Sequence, residues 1–290
     1  MFTNNKPYFF SSIFLLICLT INSCTTHNSI KSNEKKNEFS VLTYSASNQG
    51  FKSNSHLILL ENNALLIDAQ FIPDDANNVV DLIHNTGKQL STIIITHPHP
   101  DHYYGLEVIG VKFPKAEIYG GEETIKHIRN SSKYWDGENG YNWNPGRFKV
   151  LDGEKITIEG EELKYKIFKN SESIENTVLY ITTQRTLFIG DLASNNVHMW
   201  LAEDQSKNWI SFLEEVQKIG PIKKVYPGHG PVSDQRIIKE AIKYINDLNS
   251  VIGSSDSSEE AILKFKKIYP QYDMPEILDG SVIGLFENKN

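Results

Sequence analysis

Between Thr96 and Tyr103 the chain reads T-H-P-H-P-D-H-Y, with four metal-ligand side chains in the six positions from His97 to His102. His97, His99 and Asp101 are two residues apart, so in an extended segment their side chains leave the same side. Pro98 and Pro100 fill the alternate positions; each fixes its own φ and biases the preceding histidine toward extended geometry. The segment is stiff where the ligands sit, and less entropy is lost when they close on an ion. His102 breaks the alternation and must point elsewhere. One stretch can thus feed two adjacent metal positions, His97 and His99 for one, Asp101 and His102 for the other. Imidazole and carboxylate suit Zn²⁺ or a similar divalent ion. The competing reading is a polar surface loop; this density of ligand types directly after the apolar run "LSTIIITH" argues against it.

The rest of the chain must position these groups. It has 290 residues, 39% hydrophobic and 22% charged, enough for one large domain or two small ones. A formal net charge of -7 and the lack of any basic stripe argue against nucleic acid as a partner. Its two cysteines, Cys18 and Cys24, both precede Thr25, so metal sites in the remainder must be built from nitrogen and oxygen.

From Phe39 onward, short β-rich runs such as "EFSVLTYSA", "SHLILLE" and "NALLIDA" are separated by turn residues. "DDANNVVDLIHNTG" has helical spacing and a glycine stop. Strands are expected again at "RFKVLD", "EKITIEG", "ELKYKIF", "NTVLYIT" and "RTLFIGD", and helices at "SKNWISFLEEVQKIG" and "SDQRIIKEAIKYINDLNSVI". This order predicts an α/β (α+β) domain, two sheets flanked by helices.

The N-terminus reads as an address. One basic residue, Lys6, precedes an apolar run from Tyr8 to Ile21 that is too short for a comfortable membrane span. The run ends in Ile21-Asn22-Ser23-Cys24, which resembles a bacterial lipoprotein signal. The expected organisation is a signal peptide over 1–23 and a lipidated Cys24 opening a polar tether over 24–38. The main domain would span 39–252, with a C-terminal helical extension over 253–290. The 14 residues from Thr25 to Glu38 would span about 20 Å. The implied location is the bacterial cell envelope, membrane-anchored and periplasm-facing, with the membrane as a partner through the lipid.

"THPHPDH" matches the H-x-H-x-D-H motif of the metallo-β-lactamase superfamily, and two further segments resemble that family in the expected order. "LFIGD" resembles the segment that ends in a metal-bridging aspartate, here Asp191, and "YPGHG" the segment with the last histidine ligand, here His229. The resemblance covers about Phe39 to Ile252. It implies a four-layered αββα sandwich with a dinuclear metal site on the loops at one edge. One position departs: Glu172 falls where zinc β-lactamases carry a third histidine. A carboxylate can ligate the same ion. Glu172 facing solvent, or Glu175 taking its place by a register slip, are the alternatives.

The resemblance assigns His97, His99 and Glu172 to the first ion and Asp101, His102 and His229 to the second. Asp191 bridges, and Asp101 also orients the attacking hydroxide. Two ions, most simply Zn²⁺, would supply four positive charges against three from Glu172, Asp101 and Asp191 and one from a bridging hydroxide, a near-neutral site.

Further residues invite a role beside this set. Asp68, after the apolar strand "LLIDA", reads as a buried partner of the metal loop. His198 could orient substrate or lie on the surface, and Tyr103 or Tyr104 could hydrogen-bond a developing oxyanion. His27, His56, His84 and His127 have no partner pattern and are expected to face solvent. The aromatic-rich stretch holding Tyr134, Trp135, Tyr141, Trp143 and Phe148 could wall a pocket or pack on itself. The tail after Ile252 could line the cleft or merely pack on the surface.

The expected function is a hydrolase acting on a small molecule through a lactam, ester or lactone-type bond. The alternatives are a metal-binding module without turnover that presents a partner surface at the membrane, or a phosphodiesterase or oxygenase-type member of the same family.

Overall fold

The structure, a computed structural model, describes residues 39–135 and 147–288, with the backbone alone for 132–135. The signal peptide, Cys24, His27 and the tether lie outside the described residues, as do Tyr141 and Trp143 and the side chains of Tyr134 and Trp135.

The first sheet carries β1 (Ser40–Ser45), β2 (Asn54–Leu59), β3 (Asn63–Ile67), β4 (Gln89–Ile94), β5 (Glu117–Gly120) and β6 (Phe148–Val150), in that spatial order. From β3 to β6 the strands run parallel. The crossovers carry α1 (Pro73–Thr86), then α2 (Pro100–Tyr103) with α3 (Leu106–Lys112), then α4 (Glu122–Trp135). The second sheet is ordered β11 (Lys224–Pro227), β10 (Thr186–Gly190), β9 (Glu175–Ile181), β8 (Glu161–Lys169), β7 (Lys155–Ile158). It is antiparallel except between β10 and β11. The crossover there holds α5 (Ser206–Val216), and α6 (Arg236–Gly253), α7 (Ser258–Ile268) and α8 (Pro275–Glu287) follow.

Strand period two sorts the apolar side chains into layers. On β3, Leu65 and Ile67 meet Leu179 and Phe188 between the sheets, while Leu66 faces the helices with Val79 and Ile83 of α1. On β10, Phe188 points inward and Leu187 and Ile189 point to Trp209, Tyr244 and Leu248 of α5 and α6. Strand β9 is buried at every position because both of its faces are covered. The layers are therefore helix, sheet, sheet, helix. Helix α1 shows how sequence sets an element. Ala76, Val79, Val80 and Ile83 recur at helical spacing on the buried face, Pro73 opens the first turn, and Gly87 stops the helix at φ 67.

The C-terminal helices belong to the same core: Ala261, Phe265, Leu278, Val282 and Leu285 pack in one cluster with α5 and α6. The expectation for His56 is corrected. It lies on β2 at 2% exposure, with ring centroids 5.7 Å from Phe188 and 5.2 Å from Tyr226. Its Nδ1 meets the Thr43 hydroxyl at 2.9 Å and its Nε2 the Pro227 carbonyl at 2.9 Å. Burial drives its pKa down to about 4, so it sits there as a neutral imidazole. His84 and His127 are exposed.

Candidate metal centre

Each ligand candidate sits just past the end of a strand, where a rigid sheet hands over to a loop. His97 follows β4, Asp191 follows β10, His229 follows β11, and Glu172 lies in the turn between β8 and β9. His99 has extended backbone at φ -77 and ψ 139, as its following proline requires, and Pro100 opens the short helix that carries Asp101 and His102.

The side chains converge. His97 Nε2 is 3.8 Å from Glu172 Oε2 and 3.7 Å from Asp191 Oδ2, and His99 Nδ1 is 2.9 Å from Glu172 Oε1. His102 Nε2 stands 3.4 Å from both Asp101 Oδ2 and Asp191 Oδ1. His229 Nε2 is 3.3 Å from Asp101 Oδ2 and 3.0 Å from Asp191 Oδ2. Ligands bonded tetrahedrally at about 2.0 Å lie about 3.3 Å from one another, so most of these separations match an ion's coordination shell. Two groups result, His97, His99, Glu172 and Asp191, and Asp101, His102 and His229, each with donor atoms within 4.8 Å. Asp191 borders both.

Three buried atoms in this cluster have no well-aligned hydrogen bond: His97 Nε2, Asp191 Oδ1, and Glu172 Oε1, whose 2.9 Å approach to His99 Nδ1 is not aligned for one. Buried polar atoms left alone are costly, and all three belong to the first group. The donor set and its orphaned atoms fit a cation. The charge balance agrees. Burial opposes charge on His102, yet Asp191, Asp101 and Asp68 hold its pKa well above the ordinary value. Against the same burial, Glu172 raises His99, and Asp191 and Asp101 raise His229 to about 10. Conversely, Asp101 and Asp191 are held well below the usual carboxylate range despite burial, by the imidazoles around them. Burial, with the charge on His102, drives His97 down. The carboxylates thus favour positive charge at His99, His102 and His229.

Outer contacts fix the ligands. Asp68 is buried at 2% exposure; its Oδ1 accepts from Thr96 N at 2.8 Å, and its Oδ2 meets Thr96 Oγ1 at 2.8 Å and His102 Nδ1 at 2.9 Å. Although Asp68 lies within ligand distance of His97 and His102, these bonds occupy both oxygens and aim His102 Nε2 at the cluster. His229 Nδ1 donates to the Phe51 carbonyl at 2.8 Å. Asn176 Nδ2 donates to Glu172 Oε2 at 3.0 Å, and Asn176 Oδ1 gathers the turn by accepting from Ser171 Oγ and Ser173 N. Gly228 is required by proximity: a Cβ there would lie 1.8 Å from Asp191 Oδ1.

Glu172 is 1% exposed and faces His97 and His99, which removes the solvent-facing alternative. Glu175 does not replace it; its Oε2 accepts from Thr124 N at 2.9 Å, in the first turn of α4. The oxyanion role considered for Tyr103 is corrected: its ring is 3% exposed and packs in the core between the first sheet and its helices. The turn of α2 that aims His102 at the ligands aims Tyr103 into the helical layer instead. Tyr104 stacks on Phe71 at 5.4 Å. Phe148 is a buried residue of β6.

Above the ligands opens a cleft of about 340 Å³, with His99, Asp101, Asp191 and His229 on its floor. His198 borders it, with Nδ1 2.8 Å from the Tyr244 hydroxyl, and burial lowers its pKa to about 4. The C-terminal extension lines the cleft through Glu276 and Ile277. Sequence reasoning missed Glu203, which stands 3.8 Å from His99 Nε2 and also borders the cleft. It also missed the Phe51 carbonyl and Asn176. Only Asn176, three residues past Ser173 in a polar turn, left a sequence signal.

Residues 48–229 match the family model of the metallo-beta-lactamase superfamily, and the chain belongs to that superfamily. Among its relatives, a probable metallo-hydrolase of Methanocaldococcus jannaschii is 27% identical over 202 residues, 68% of this chain and 96% of that protein. A hydroxyacylglutathione hydrolase of Baumannia cicadellinicola is 35% identical over 80 residues, 27% of this chain and 29% of that protein. A metallo-beta-lactamase from Pontibacter korlensis shares the fold, with a TM-score of 0.58 and 19% identity over 72% of this chain and all of that one.

Proposed function

We propose that the protein is a dinuclear metal-dependent hydrolase of small molecules with a lactam, ester or lactone-type bond. The observation that carries this reading is the open cleft of about 340 Å³ whose floor is formed by ligand candidates of both groups. His97, His99 and Glu172 would hold one divalent ion, most simply Zn²⁺, Asp101, His102 and His229 the other, with Asp191 between them. Such ions, when bound, acidify water and polarise a carbonyl oxygen. Asp101, whose side chain is 15% exposed at the cleft floor, would accept a hydrogen bond from the attacking water and orient it. Asp68, the Phe51 carbonyl and Asn176 hold the ligand side chains in place, so little reorganisation is needed when substrate arrives. A metal-binding module without turnover would have no use for a cleft that exposes its ligands. The test is a panel of chromogenic esters, lactones, lactams and phosphodiesters on the metal-loaded chain. Turnover of one of the first three classes, abolished by chelator and restored by Zn²⁺, supports the reading. Turnover of phosphodiesters alone, or of nothing with both ions bound, contradicts it.

The same proposal includes an address. Cys24, after an apolar run and before a polar tether, would be the acylated first residue of a periplasm-facing lipoprotein. Among the described residues no helix is long and apolar enough to cross a membrane.

A further inference from the structure

The cleft has apolar walls and acidic edges. Phe51, Met199, Trp200 and Ile277 form the walls, Glu203 and Glu276 stand beside them, and among the described residues lining the cleft there is no lysine or arginine. Glu276 lies in the first turn of α8, beyond the residues that the family model matches. Its position is fixed by a clamp between α8 and the segment from Asn196 to Ala202. His198 N donates to the Asp273 carbonyl at 3.0 Å, Asp273 N to the Asn196 carbonyl at 2.9 Å, and Leu201 N to Ser281 Oγ at 2.7 Å. Gly280 packs so closely that a Cβ there would lie 2.9 Å from the Trp200 ring. The Trp200 wall and the backbone that carries Glu276 are thus held together, with the Glu276 side chain exposed at the edge. Phe51 is presented by a left-handed backbone at φ 57, a conformation costly for a bulky residue, while its carbonyl orients His229.

Two divalent ions would bring four positive charges, Glu172, Asp101 and Asp191 three negative, and a hydroxide one more. The loaded floor is near neutral, and Glu203 and Glu276 leave the cleft with two negative charges. At low ionic strength an anionic group about 8 Å from one glutamate meets a repulsion worth roughly fivefold in affinity, so two glutamates amount to roughly 25-fold.

We propose that this cleft selects an apolar substrate bearing no negative charge, a neutral or amine-bearing ester, and discriminates against carboxylate-bearing substrates, including carboxylated lactams. The inference rests on the hydrolase reading above, and Glu276 is its specificity-determining residue. The test uses three nitrophenyl esters on the Zn²⁺-loaded full chain: butyrate, 4-aminobutyrate and hemisuccinate. After correction for spontaneous hydrolysis, kcat/KM for the first two should exceed that for the hemisuccinate at least tenfold. Glu276→Gln should narrow that ratio about fivefold, Glu276→Lys by more, and added salt should narrow it in the unaltered chain. A second arm needs no turnover: hexyltrimethylammonium and hexanesulfonate are titrated against tryptophan fluorescence, the cation being expected to bind at least tenfold tighter. Equal turnover of hemisuccinate and butyrate, or equal binding of the two probes, overturns the proposal. If none of the three esters is turned over but the cation binds preferentially, the ester substrate falls, the charge selection stands, and the lactone and lactam members of the panel decide the hydrolase reading.

Discussion

Replacing Asp68 by asparagine changes one atom of a buried side chain and should act on the metal site through a proton. The carboxylate serves three donors, Thr96 N, Thr96 Oγ1 and His102 Nδ1, at 2.8, 2.8 and 2.9 Å. In Asp68→Asn the amide oxygen can keep Thr96 N, which puts the NH₂ against Thr96 Oγ1 and His102 Nδ1. The threonine hydroxyl can rotate to accept. His102 can accept at Nδ1 only by carrying its proton on Nε2, the atom that faces Asp101 and Asp191 at 3.4 Å. The opposite amide flip keeps His102 but sets NH₂ against Thr96 N, at about 1–3 kcal/mol for a buried donor left alone. Either way, binding an ion at the position of His102 must reverse an unfavourable arrangement. The expected loss is about 10- to 100-fold in affinity, or about 1.4–2.7 kcal/mol. Competition against a chromogenic chelator would resolve the two affinities. One of the two affinities should fall by that factor in the variant, while the other stays within about threefold. Unchanged affinities would refute the tautomer argument. An equal fall at both positions, with a large drop in melting temperature, would show that Asp68 supports the fold rather than His102.

Three other outcomes follow from the geometry and a fourth from the N-terminal sequence. Glu172→His should raise the charge of the site by one and move the acid limb of the rate–pH profile to lower pH, because a more positive site makes its water more acidic; an unmoved limb with both ions bound would remove Glu172 from the ligand set. Gly228→Ala would push a Cβ to 1.8 Å from Asp191 Oδ1, so we expect a loss of about 1–3 kcal/mol in denaturant unfolding and weaker metal retention. His56, held neutral with a pKa of about 4 against an ordinary 6.5, should make the fold lose about 3 kcal/mol on acidification. The unfolded chain takes up that proton first, so the contribution is complete above pH 6.5 and fades toward pH 4; the stability difference between the unaltered chain and His56→Asn should shrink over that window, and a constant difference would count against it. Cys24→Ala should leave the membrane fraction, and retention there would count against the lipoprotein proposal.

The metal loop was legible because its signal is local. Alternating prolines and ligands after an apolar strand constrain backbone and chemistry within six residues, His97 to His102. The layers were legible in the same way, since Leu65, Leu66 and Ile67 had only to alternate faces. Tyr103 and His56 differ from expectation because a short helix and a polar residue within a strand do not by themselves tell which layer they meet; the packing of Tyr103 against the helical layer and of His56 against Phe188 and Tyr226 decides that. Glu203 and Glu276 stayed hidden for a related reason. They reach the cleft only because α8 clamps the segment after Asn196, contacts that join residues some 80 apart, as between Leu201 and Ser281.

The central claim is that seven side chains hold two ions, and elemental analysis of the loaded chain tests it most directly. The full-length protein would be stripped with chelator, loaded with excess Zn²⁺, freed of unbound metal and analysed beside Glu172→Ala and His229→Ala. Close to two ions per chain are expected in the unaltered protein and close to one in each variant. Saturation at one ion per chain, with Glu172→Ala unchanged, would contradict it and leave only the position of Asp101, His102 and His229.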